Sequence, residues 1–116
     1  MERATAKYAV DQVDATGYEP DMIDGTQVGE FRQIEPEGSS ANRLDVSLWR
    51  SDPGTYDYFF EGDEAFHVVE GAATVELSDS GEMVELRPGD VAYFRAGTPS
   101  VWKITEPFKK FVVISN

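Results

Sequence analysis

The chain has no cysteine, so disulfide frameworks, thiolate nucleophiles and Cys-ligated zinc or iron–sulfur centres are excluded together. It has a single histidine, His67. Imidazole-based metal sites ordinarily use two or three such ligands, so here the remainder would have to be carboxylates and water. Basic residues are also scarce. Ten Lys and Arg stand against 22 Asp and Glu, a formal net charge of -12, which repels phosphate backbones and anionic lipid surfaces alike. Neither nucleic acid nor a membrane is therefore an expected partner. No apolar run approaches the roughly 20 residues that span a bilayer. Met1–Val10 mixes Glu2, Arg3 and Lys7 with small residues and has no apolar signal-peptide stretch. A soluble cytoplasmic protein is the expectation.

What the sequence does have is a core. Of its 116 residues, 41% are hydrophobic, with seven Phe, five Tyr and two Trp, too rich a set for a disordered acidic tail. The length suits one domain. Residues 1–41 read as an irregular N-terminal arm or cover, punctuated by Gly17, Pro20, Gly25, Gly29, Pro36 and Gly38, with one short strand candidate at Glu30–Ile34. Residues 42–116 carry period-two apolar runs separated by turn residues: Leu44–Leu48, Tyr56–Phe60, Phe66–Val68, Val75–Leu77 and Val84–Leu86, then Val91–Phe94, Ser100–Ile104 and Phe108–Ile114. About eight strands and no helix predict an all-β sandwich or barrel. The turn Ser78-Asp79-Ser80-Gly81 predicts a hairpin with Val75, Leu77, Val84 and Leu86 inward and Glu76 and Glu85 outward.

Two stretches, Glu64–Gly71 and Arg87–Gly97, resemble the two signature motifs of the cupin superfamily. Glu64 and Gly71 keep the spacing of the first motif, and Gly89, Asp90 and Gly97 match the second, although Arg95 stands where proline is usual. The resemblance implies a single jelly-roll β-barrel. It also locates a loss: the usual His-x-His pair falls on Tyr58 and Phe60, or on Asp57 and Phe59 with a longer spacer, and the second-motif His falls on Ser100. Only Glu64 is left of the four ligand positions. A lone carboxylate among aromatic groups is a poor cation site, so no cofactor and no tightly bound metal are expected. A narrower set, Trp49–Gly54, Asp63-Glu64, Val68–Gly71, Gly89-Asp90, Gly97, Trp102 and Lys109–Ile114, is similar to the cupins of unknown function grouped with ureidoglycine aminohydrolase. That aminohydrolase resembles a two-barrel, metal-dependent enzyme, unlike the single barrel expected here.

Alternation along strands puts Glu64, Phe66 and Val68 on one face and His67 on the other. Tyr56, Tyr58 and Phe60 form a second inward set, and Ser100, Trp102 and Ile104 a third. Together they predict an aromatic-lined cavity with Glu64 as its acid and Tyr58 as partner, a composition suited to a small molecule. Each choice has a structural alternative. Glu64 could be a remnant satisfied by Tyr58 or a backbone donor, the aromatic stripes could be filled core, and Trp102 could plug the barrel instead of stacking on a ligand. His67 could be bonded beneath the arm or at a subunit contact, or, if a bulge turned it inward, pair with Glu64. Arg95 at the barrel mouth could hold a carboxylate or pair with a surface acid.

Three functional expectations follow. The first is a metal-free barrel that binds a small polar or aromatic metabolite. The second is a hydrolase or isomerase acting on a small nitrogenous, ureide-like or sugar-derived compound, with Glu64 as acid or base. The third is a barrel whose open edges serve mainly to form a homodimer.

Overall fold

The computed structural model describes residues 7, 9, 17–35 and 44–115, and all its regular structure is β-strand. The elements are β1 (Glu19–Ile23), β2 (Thr26–Glu35), β3 (Leu44–Ser51), β4 (Gly54–Phe60), β5 (Asp63–Leu77), β6 (Met83–Leu86), β7 (Val91–Phe94) and β8 (Thr98–Ser115). The all-β expectation holds, and the pairing is that of a jelly roll. Two long antiparallel strands, β5 and β8, run side by side for their whole length. Their outer halves, residues 63–68 and 108–115, sit in one sheet ordered β1-β2-β3-β8-β5-β7. Their other halves join β4 and β6 in the facing sheet.

The sequence divides each long strand into two, because the apolar alternation breaks near Gly71 and Pro107. Those breaks are bends, with register shifts between Val68 and Ala73. Pro107 has no N–H to donate to the ladder. Gly71 has φ of +85°, and a Cβ there would run into the Pro107 carbonyl oxygen, so only glycine lets the two bends cross this closely.

Part of the region expected as an irregular arm is ordered sheet. Glu19–Glu35 forms a hairpin that extends the first sheet through β3, with Phe31 opposite Trp49 and Gln33 opposite Ser47. The single strand candidate at Glu30–Ile34 thus belongs to a longer strand. Pairing with Trp49 and packing of the partly buried Phe31 against the core offset the turn-rich composition that obscured it. The rest of the arm, residues 1–6, 8, 10–16 and 36–41, lies outside the described residues, as do residues 42 and 43.

The β5–β6 hairpin has the expected facing. Val75 and Leu86 are buried, Leu77 and Val84 partly so, and Glu76 and Glu85 are exposed. Its turn closes through Gly81 N–H to the Leu77 carbonyl at 2.7 Å. The core between the sheets is aromatic: Phe60, Phe66, Phe94, Trp49, Trp102 and Phe108 form one cluster with Val68, Val75 and Leu86.

Candidate functional site

Strand register sets the site. In the first sheet the inward rows are Asp45–Ile114–Glu64, Ser47–Val112–Phe66 and Trp49–Lys110–Val68. In the second they are Tyr58–Ser100–Leu77 and Tyr56–Trp102–Val75. Where these rows face each other, a cavity of about 230 Å³ opens, bordered by Trp49, Tyr56, Tyr58, Glu64, Trp102 and Lys110 and roofed by Asp21, Phe31, Gln33 and Asp45. Gly29 on β2 shapes the roof: a Cβ there would come within 2.7 Å of the Trp49 ring. Trp49 instead lies close under β2 and donates its Nε1–H to Asp21 at 2.9 Å.

Glu64 is buried and its carboxylate is fully engaged. Oε1 accepts the Tyr58 hydroxyl at 2.9 Å, and Oε2 accepts Lys110 Nζ at 3.1 Å. A buried ion pair offsets its desolvation only with such additional bonds. The ammonium is also enclosed by rings, lying 4.3 Å from the centroid of Phe66, 4.4 Å from Trp102 and 4.8 Å from Trp49. Ring faces carry the negative lobes of the π quadrupole and stabilise a cation placed over them.

Tyr56 and Trp102 stand with parallel rings, 5° apart and 6.3 Å between centroids. Burial pushes the Tyr56 phenol far above its ordinary value, helped by the negative charges of Asp21 and Glu64. Tyr58 is raised in the same way by burial, then by the charge of Glu64 and the hydrogen bond to it. Both phenols are neutral donors through the physiological range. Among the described residues, Trp102 Nε1 is the buried side-chain polar atom without a partner.

The structure therefore brings together Tyr56, Tyr58, Glu64 and Trp102 of the residues expected in the pocket. Phe60 and Phe66 do not border the cavity; Phe60 stacks on Phe94 at 4.6 Å and Phe66 on Phe94 at 5.8 Å, as solid core. Ser100 is also behind the wall, donating to the Tyr58 carbonyl at 2.7 Å. That bond explains how a hydroxyl is accommodated at a buried strand position. His67 is exposed on the outer face of the first sheet, opposite Val91 and Phe111, and no bulge turns it inward. Arg95 is exposed in the turn after β7, away from the cavity.

Lys110 is the main residue that sequence reasoning passed over. The signal was present: Lys110 alternates with Phe108 and Val112, so it shares their inward face. Trp49, Asp21 and Phe31 were hidden because their roles depend on β1 and β2 folding over β3. A larger open cleft of about 650 Å³ lies outside the cavity, along β2 and the bend of β8. Two ion pairs lie along it, Glu30 with Arg50 at 3.1 Å and Glu70 with Lys109 at 3.6 Å.

Comparison with known proteins gives a family. The model for the EutQ-like cupin domain matches residues 38–111. A protein of the DUF861 family from Thermotoga maritima is 26% identical, with a TM-score of 0.54 over 56% of this chain and 73% of that one. A DUF1255 protein of unknown function from Acidithiobacillus ferrooxidans is 25% identical, with a TM-score of 0.65 over 91% and 98%. The EutQ protein of Clostridium difficile shares the fold at 15% identity, with a TM-score of 0.65 over 75% of this chain and 61% of that one. No curated protein matches the sequence.

Proposed function

The chain belongs to the family of EutQ-like cupin domains, and from that premise we propose that it binds a small polar or aromatic metabolite in the cavity over Glu64, without a His-ligated metal. The observation that carries this reading is the cavity itself: ring walls on two sides and a buried, hydrogen-bonded Glu64–Lys110–Tyr58 group at its base. Ring faces supply apolar contact area, and a few fixed polar groups supply orientation, as in small-molecule sites generally.

The residues present do not fit the metal that cupin scaffolds often carry. A divalent cation at Glu64 would share its carboxylate with the Lys110 ammonium, 3.1 Å away. The positions that would supply imidazoles hold Tyr58, Phe60 and Ser100. The reading accordingly contains no metal step.

A thermal-shift screen of small metabolites, with and without divalent metals, tests it, since a ligand that binds only the folded state raises its melting temperature. A metabolite that stabilises the protein equally in both arms is the expected result. Manganese, iron, nickel or zinc retained stoichiometrically through chelation would overturn it.

The Tyr58–Glu64 hydrogen bond supports a second reading, in which Glu64 is the acid or base of a hydrolase or isomerase. Its substrate would be a small nitrogenous, ureide-like or sugar-derived compound, in line with the resemblance to the ureidoglycine aminohydrolase group. Glu64→Gln would then abolish turnover while the fold is kept. Full turnover in that variant would remove Glu64 from the chemistry.

A further inference from the structure

Lys110, besides supplying one of the fixed polar groups of the cavity, becomes a nucleophile at Nζ once Glu64 takes its proton. It sits on an inward strand position, its side chain only 7% exposed, and yet it borders the cavity. Apolar side chains of similar volume often replace a buried ion pair with little loss of stability, because taking two charges out of water is costly. Buried lysines in apolar pockets beside a proton acceptor are the ones suited to Schiff-base chemistry. Here the acceptor is Glu64 Oε2 at 3.1 Å.

We propose that Lys110 is a covalent site for small aldehydes or ketones, which condense with its Nζ to give a protonated imine in the cavity. The inference rests on the cavity being a small-molecule site and adds the ligand class. Glu64 first takes a proton from the ammonium. The freed lone pair forms a C–N bond to the carbonyl carbon, and the C=O π pair moves to oxygen, which takes that proton from Glu64. The nitrogen of this carbinolamine then loses a proton to Glu64, and the hydroxyl leaves as water with it. The products are one water and an iminium paired with the Glu64 carboxylate. The charge on nitrogen is the same before and after, so the cage of Trp49, Phe66 and Trp102 that surrounds the ammonium serves the iminium equally. A cavity of about 230 Å³ restricts the partner to compounds smaller than those of drug-sized sites, which start at roughly 300 Å³.

The test uses the folded, unmodified protein with acetaldehyde or pyruvate as the probe and cyanoborohydride to reduce any imine, followed by peptide mapping by mass spectrometry. Lys103 is exposed and serves as the internal standard. Labelling of Lys110 about tenfold above Lys103 is expected, with Glu64→Gln slowing it and Lys110→Arg removing it, as general acid–base assistance requires. Labelling of Lys103 equal to or above that of Lys110 overturns the proposal. If the probe then still raises the melting temperature, the cavity binds carbonyl compounds without a covalent step and only this inference fails. If it does neither while another small metabolite stabilises the protein, the ligand class is wrong and the binding reading stands. A screen in which no small molecule stabilises the protein removes both.

Discussion

Phe60 and Phe94 stack at 4.6 Å with 7° between their planes, and Phe66 continues the stack; a short distance away Tyr56 and Trp102 are just as parallel but 6.3 Å apart, beside an open cavity. The two regions use the same kind of side chain. They differ in charge. The filled region consists of apolar rings, whereas the hollow one holds an ion pair, two phenols and, at its roof, Asp21 and Asp45. Protein interiors tolerate few voids larger than a water molecule, and a void among converging polar groups is a place for a polar occupant.

The filled region is the more sensitive to truncation. Phe60→Ala should cost about 3–5 kcal/mol by leaving a cavity that the fully buried stack cannot close. Denaturant melts measure it. At the hollow region, Lys110→Met should cost about 3 kcal/mol, because it strands the Glu64 carboxylate, while the double variant Glu64→Leu with Lys110→Met should recover most of that loss. If the double variant were as unstable as the single one, the ion pair would not be what separates the regions. A third effect appears only at high pH. Tyr56 and Tyr58 hold their protons in the folded state well above the ordinary value of 10.0. Above about pH 10 the unfolded chain therefore releases protons that the folded one keeps, and stability should fall as pH rises by up to about 1.4 kcal/mol per unit for each tyrosine. Tyr56→Phe and Tyr58→Phe together should flatten that alkaline limb.

The strands that carry Glu64, Tyr58 and Trp102 were legible because period-two alternation fixes which side chains share a face, and here it does so without a break between Gly54 and Phe60 and between Asp63 and Val68. Alternation says nothing about depth. It therefore grouped Phe60, Phe66 and Ser100 with the cavity, whereas packing against Phe94 and a bond to the Tyr58 carbonyl place them behind it. Lys110 was passed over because lysine is almost never buried unless paired, and its partner Glu64 lies 46 residues earlier in the chain. The β1–β2 roof was illegible for a different reason: Gly25 and Gly29 read as turn punctuation, but only Gly25, with φ of +81°, sits in the turn, and Gly29 is there to admit the Trp49 ring.

The two long strands also bear on how the molecule comes apart. Because β5 and β8 each contribute half their length to either sheet, the two sheets are tied together by two continuous strands. Amide exchange along both strands should then report one shared opening free energy from Asp63 to Leu77 and from Thr98 to Ser115, with faster local exchange confined to outlying elements such as β1 and β6.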